Sequence, residues 1–265
     1  MHVLQDGLDV DHFFQRLAAA SHRLLLLDYD GTLAPFRVER DAATPYPGVR
    51  EALDPILAAE TTRVVVISGR AAAEVPHLLG LRYPVEIWGS HGAERLMPHG
   101  AYTLASLPQA ARDGFRQARE WAAAHGVAGR LEKKPAALAL HWRGAPASEA
   151  AALSGAVFEG WSPIARTAGL EVRAFDGGLE LRVPEFDKGA VVRSLLDEAG
   201  EGAAAAFLGD DLTDEDAFAA IEGRGLGVLV RPALRPTRAA LWLRPPDELL
   251  DFFAHWARAA APSAG

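Results

Sequence analysis

Four short apolar runs, each ending on a polar motif, constrain this chain more than any other feature. Residues 24–27 are four leucines and run into Asp28-Tyr29-Asp30-Gly31-Thr32. Residues 64–67 run into Ser68-Gly69-Arg70, Ile87-Trp88 into Gly89-Ser90-His91-Gly92, and 204–208 into Gly209-Asp210-Asp211. Short continuous apolar runs mark strands buried on both faces. Segments with helical periodicity separate them, for example 48–60 and 188–199. Strands alternating with helices predict an α/β protein with a parallel sheet covered on both sides. In such sheets ligands sit at the carboxyl ends of the strands, so all four polar motifs are expected along one sheet edge.

The stretch 108–184 has a different rhythm. Residues 109–125 and 148–168 have helical character, whereas 129–132, 137–142, 170–174 and 179–183 read as short strands. A turn is expected near Lys134-Pro135, and a hairpin across Asp176-Gly177-Gly178. The order helix-strand-strand, repeated, predicts an inserted α+β domain over 107–184, with 1–106 and 185–265 forming the main domain. Residues 259–265 are expected to fray.

Composition narrows the chemistry. The 265 residues contain no cysteine, which excludes disulfides, thiolate-zinc sites and cysteine nucleophiles. A formal charge of −8 argues against a nucleic-acid surface and against anionic lipid, but not against an anionic substrate in a locally positive pocket. No basic stretch followed by an apolar one opens the chain, and no apolar run approaches a membrane span of ~18 residues, so a cytoplasmic enzyme without a membrane partner is expected.

Asp28 and Asp30 lie two residues apart beyond a buried strand, and both can face one ligand if the chain turns at Gly31. A carboxylate attacks a polyanionic phosphoryl group only when a divalent cation screens the repulsion. Asp28 then suits a covalent nucleophile and Asp30 a general acid and base. Alone, Asp30-Gly31-Thr32 reads equally well as a turn beside a helix cap. The acidic loop from Asp210 to Asp216 suits magnesium, which takes one or two carboxylates and keeps several waters. Asp210 is the candidate direct ligand, and Asp214 is expected to hold waters behind it. A solvated helix N-terminus would also explain Asp214, Glu215 and Asp216. Ser68-Gly69-Arg70 is expected to open a helix, where a hydroxyl and backbone amides bind phosphate. Only Lys133, Lys134 and Lys188 are lysines among 27 basic residues, so a retained lysine hints at a need for a compact point charge.

Together, Asp28-x-Asp30-Gly31-Thr32, Ser68-Gly69-Arg70, Lys188 and Gly209-Asp210-Asp211 resemble the four ordered motifs of the haloacid dehalogenase superfamily. Within it, 27–35, 66–70, 89–94 and 209–218 look like the trehalose-6-phosphate phosphatases. So do Leu131-Glu132-Lys133-Lys134, His141-Trp142-Arg143 and 179–184 in the inserted region. The resemblance implies a Rossmann-like core, an inserted cap domain, magnesium, and release of phosphate from trehalose 6-phosphate made by a separate synthase. It implies Asp28 as nucleophile, Asp30 as acid and base, Asp28, the Asp30 carbonyl, Asp210 and Asp214 at magnesium, and Ser68 and Lys188 at the phosphate. Arg70, His91, Gly92, Glu132, Lys134, His141, Arg143 and Glu180 are implied at the substrate. Trp142 and Pro135 depart from the family pattern, which has tyrosine and commonly glycine there. Rival expectations are a phosphatase for another glycosyl phosphate, or a non-catalytic regulator with the same fold.

Overall fold

The computed structural model describes residues 1–37, 39–175 and 177–261. In chain order the elements are β1 (His2–Val3), α1 (Val10–Ala19), β2 (Arg23–Leu27), α2 (Val49–Ala58), β3 (Arg63–Ile67), α3 (Val75–Leu79), β4 (Glu86–Gly89), β5 (Glu94–Leu96) and β6 (Tyr102–Leu104). Then come α4 (Gln109–Ala124), β7 (Leu131–Lys134), β8 (Ala137–His141), α5 (Ala147–Ala168), β9 (Glu171–Phe175) and β10 (Gly178–Arg182). The chain closes with α6 (Lys188–Ala199), β11 (Ala204–Gly209), α7 (Glu215–Ile221), β12 (Leu226–Val230), β13 (Leu241–Leu243) and α8 (Asp247–Ala260). Two compact units result, 1–102 with 187–265, and 103–186.

The first unit is built on a sheet ordered β1-β13-β12-β11-β2-β3-β4-β5. All pairings from β13 through β4 are parallel; β1 pairs antiparallel with β13, and β5 antiparallel with β4. The apolar runs earn their burial by alternation, since successive side chains of a strand point to opposite faces. Leu25, Leu27, Val64, Val66, Ala204 and Ala206 pack with Leu17, Leu53, Phe252 and Trp256 from α1, α2 and α8. Leu24, Leu26, Val65, Ile67 and Phe207 pack on the other face with Val191, Leu195 and Phe218 from α6 and α7. Helices on both faces of a parallel sheet are the expected α/β architecture.

The second unit is a four-stranded antiparallel sheet, β7-β8-β10-β9, backed by α4 and α5. Phe115, Val157 and Trp161 from the helices meet Leu138, Leu140, Leu179 and Leu181 from the sheet. The opposite face carries the alternate residues. Glu132, Ala139, Glu180 and Arg173 stand in register across the four strands, and Lys134, Ala137, Arg182 and Glu171 form the next row. One face is apolar and the other carries charges, yet β8 and β10 are buried along nearly their whole length, so those charges are met by one another.

Some details differ from expectation. The first strand of the second unit begins at Leu131 rather than 129, because Ala128–Arg130 forms a turn of 3-10 helix. Helix α8 continues through Ala260, so residues 259 and 260 are not frayed; Trp256 and Ala260 bury its face. The hairpin between β9 and β10 forms, but Asp176 at its tip lies outside the described residues, as do 262–265. Among the described residues, no helix is long and apolar enough to cross a membrane.

Candidate active site

Strands β2, β3 and β11 are adjacent and parallel, so Asp28, Ser68 and Asp210 follow the same end of the sheet. The backbone turns sharply after β2, with the Leu33 and Ala34 amides donating to the Tyr29 carbonyl and the Gly31 amide to that of Ala34. Gly31 adopts φ +88°, and a Cβ there would lie 2.0 Å from Asp210 Oδ2. Only glycine lets the two acidic loops approach so closely.

Asp28 is 4% exposed, and both its oxygens are engaged: Lys188 Nζ donates to Oδ1 at 2.6 Å and Thr32 Oγ1 to Oδ2 at 3.2 Å. Lys188, in the first turn of α6 behind the Asp187 cap, donates equally to Asp214 Oδ1 at 2.6 Å. Asp214 is fully buried, and its Oδ2 accepts the Asp210 and Asp211 amides, each at 2.9 Å. Asp214 therefore holds the lysine and the loop backbone. Two amide bonds at one oxygen and an ammonium at the other fill most of what a carboxylate can accept.

Burial pushes the Asp28 carboxyl up to about 7, with Lys188 pulling against it and Asp214 adding to it. Burial, Asp28 and Asp214 likewise raise Asp210 well above the usual carboxylate range. Desolvation works against the Lys188 charge, but Asp214 and Asp28 outweigh it and hold the ammonium above the ordinary lysine value. Asp28, Asp210 and Asp214 offer oxygens within 4.8 Å of one another. Three carboxylates thus face one ammonium, and Asp210 Oδ1 is buried without a hydrogen-bond partner among the described residues. That surplus of negative charge, all oxygen, fits a hard divalent cation.

Ser68 is 1% exposed and accepts the Arg70 amide at 3.2 Å. No helix opens at Ser68-Gly69-Arg70, contrary to expectation; α3 starts only at Val75. Side chains occupy the space and the amides that a helical turn would use. The His91 ring sits where a Gly69 Cβ would be, 2.7 Å away, and the Ala72 amide donates to Glu94 at 3.2 Å. Arg70 is turned onto Asp30 through Nε and Nη2, at 2.7 and 2.6 Å. His91 is buried against this loop, its amide bonded to the Ser68 carbonyl at 3.0 Å, and Gly92 lies against Val191 of α6. On the polar face of the second unit, Lys134 pairs with Glu180 at 2.7 Å and His141 with Glu132 at 2.6 Å, while the Arg143 side chain lies over Gly177. Trp142, the departure from the family pattern, packs against the apolar cluster under the sheet.

Two supports had escaped sequence inspection. Arg235 grips the acidic loop from below, donating to the Asp210 and Asp211 carbonyls at 3.2 and 2.6 Å and pairing with Glu215. Glu94, buried, accepts Ser90 Oγ at 2.6 Å beside two non-glycine residues in the left-handed region, Ser90 (φ 48°) and His91 (φ 58°). Nothing around Arg235 marks it in the sequence, whereas Glu94 belongs to the quoted run 89–94.

A parallel sheet whose central strand ends in an aspartate pair, with a buried lysine and a second aspartate loop closing on it, is a fold seen in solved haloacid-dehalogenase-like proteins. A haloacid dehalogenase-like hydrolase from B. subtilis shares that fold at a TM-score of 0.61 and 16% identity, over 88% of this chain and 99% of that one. The trehalose-phosphatase family model matches residues 26–241, and the chain belongs to that family. It is similar to the trehalose-phosphate phosphatase of Mycolicibacterium paratuberculosis, 32% identical over 252 residues, covering 88% of this chain and 62% of the relative. The chain thus spans less than two thirds of that relative's length. The C-terminal domain of C. albicans trehalose-6-phosphate phosphatase shares the fold at a TM-score of 0.78 and 22% identity, over 97% of this chain and 99% of that one.

Proposed function

We propose that the chain is a magnesium-dependent phosphatase that hydrolyses trehalose 6-phosphate to trehalose and phosphate through a phosphorylated Asp28. The observation that carries this is the buried cluster in which Lys188 bridges Asp28 and Asp214 while Asp210 keeps an unpartnered oxygen. Magnesium held by Asp28, Asp210 and the Asp30 carbonyl would screen the phosphoryl charge. Asp28 attacks phosphorus; Asp30 gives the sugar oxygen a proton and later takes one from water. Lys188 and Ser68 hold the phosphoryl oxygens, and Asp214 keeps Lys188 in place. His91 and Gly92 shape the loop beside Ser68.

The core is 1–106 with 185–265, and 107–184 is a cap that reads the sugar. Glu132, Lys134, His141, Arg143 and Glu180 take the hydroxyls, since a disaccharide must keep them hydrogen-bonded. A trehalose-6-phosphate synthase supplies the substrate on this reading. The test is phosphate release with magnesium across a panel of sugar phosphates, for the parent and Asp28→Asn. Trehalose 6-phosphate should lead the panel, and the variant should be inactive. A different leading sugar would move the substrate, and an active variant would remove Asp28 as nucleophile.

A further inference from the structure

Arg70 lies two residues beyond Ser68 and, by family resemblance, would be counted among the substrate's ligands. Its geometry says otherwise. The guanidinium is 2% exposed and spends its Nε and Nη2 on the two oxygens of Asp30, at 2.7 and 2.6 Å. Its carbon lies 5.5 Å from the ring centroid of Tyr29, and the Tyr29 hydroxyl is itself tied to the Ala43 carbonyl at 2.6 Å. The fork therefore rests on a fixed ring. Glu74 stands on the far side, 3.9 Å from Nη1. Asp30, by contrast, has a side chain about a third exposed, at 32%. Left to itself, such a side chain would sample several rotamers.

We infer that Arg70 is a positioning residue for Asp30, orienting its carboxylate to receive a proton from water in the second half of the reaction. The inference rests on the phosphatase reading above. In the first half, an Asp28 oxygen bonds to phosphorus and the bond from phosphorus to the sugar oxygen breaks, that oxygen taking the Asp30 proton. In the second half, a water oxygen bonds to phosphorus and the bond to Asp28 breaks. The water's proton goes to Asp30 and phosphate leaves. A fork that donates to both oxygens fixes the plane of the carboxylate, and with it the direction in which the remaining lone pairs face an attacking water. Each Asp30 oxygen accepts one bond from Arg70 and retains a lone-pair site for the water.

Rapid-quench kinetics on the whole chain with magnesium and trehalose 6-phosphate separate this role from substrate binding. Arg70→Gln should lower kcat by on the order of 10²-fold without raising KM. It should release a burst of about one trehalose per molecule before slow phosphate release. Arg70→Lys should restore part of kcat. Adding Arg70→Gln to Asp30→Asn should cost nothing further. A raised KM with no burst would make Arg70 a substrate ligand and overturn the inference, as would full additivity with Asp30→Asn. Should Arg70→Gln fail to fold, the same cycle run with Arg70→Lys decides by its additivity. A parent protein that releases no phosphate would instead overturn the phosphatase reading, a result distinct from either.

Discussion

Lys188 and Lys134 both make ion pairs among the described residues, and their surroundings differ. Lys188 is 3% exposed and touches two carboxylates, each itself nearly or fully inaccessible. Lys134 pairs with one carboxylate, Glu180, on a sheet face whose neighbouring pair, Glu132 with His141, is about a fifth exposed. The first arrangement concentrates charge in a low-dielectric place, where each contact is strong and each loss severe. The second sets single pairs side by side along a sheet face, Lys134 and Glu180 being 11% and 7% exposed, so that each contact is less crowded. Charge concentration suits bond making at phosphorus. A dispersed polar face suits recognition of hydroxyls.

The comparison is tested most severely at the nucleophile. Asp28→Asn should cut phosphate release by on the order of 10⁵-fold, measured with a phosphate assay at saturating substrate. Next, Lys188→Met leaves Asp28 and Asp214 facing each other without their ammonium. It should destabilise the metal-free protein by about 3–5 kcal/mol in a urea titration. Lys134→Met should cost about half as much or less; equal losses would erase the distinction between the two regions.

Metal comes third. Magnesium at a hundred times its dissociation constant should add about 2.7 kcal/mol of stability, read as a rise in melting temperature, and a chelator should reverse it. Asp210→Asn should abolish that rise while making the metal-free protein more stable, because it removes one of three crowded carboxylates. A variant less stable without metal would contradict the charge imbalance. The smallest effects belong to the cap face. Glu132→Gln and Lys134→Met should each raise KM by about tenfold, the worth of one charge-assisted hydrogen bond, with kcat nearly unchanged. A loss confined to kcat would place these residues with the chemistry and collapse the contrast.

Much of the fold could be read from the strands. Four apolar runs sit where the sequence places them because strands buried on both faces admit few polar residues, and their ends are marked abruptly by Asp28, Ser68, Gly89 and Gly209. The second unit was legible for a different reason, its change of rhythm to helix-strand-strand repeated, with a hairpin at Gly177-Gly178. What the sequence concealed depends on distance through space. Lys188 meets Asp28 across 160 residues, and the rarity of lysine and the family resemblance hinted at it where no local pattern did. The bond from Lys188 to Asp214 could not be read from the acidic loop alone, because a carboxylate's partners are set by elements distant in the chain. Ser68-Gly69-Arg70 was expected to begin a helix because a serine before a glycine resembles a cap. His91 and Glu94, arriving from another strand, claim the space and the amide that such a helix would need. Arg235 left no trace at all, since a single arginine in a loop among many arginines carries no pattern.

The separation of Asp28 from Lys188 also has a consequence in time. Strand β2 lies between β3 and β11, and β11 follows the whole second unit in the chain. A ribosome adding ~5–20 residues per second needs roughly ten to thirty seconds to travel from Asp28 to Lys188. Throughout that interval the emerging chain carries the aspartate without its counter-charge and β2 without one of its two neighbours. The second unit, contiguous in sequence, has all its strands before the first unit has its last three, β11, β12 and β13. The growing chain therefore completes the polar sheet face of the second unit before the carboxylate cluster around Lys188, and that cluster closes only once Asp214 has been made.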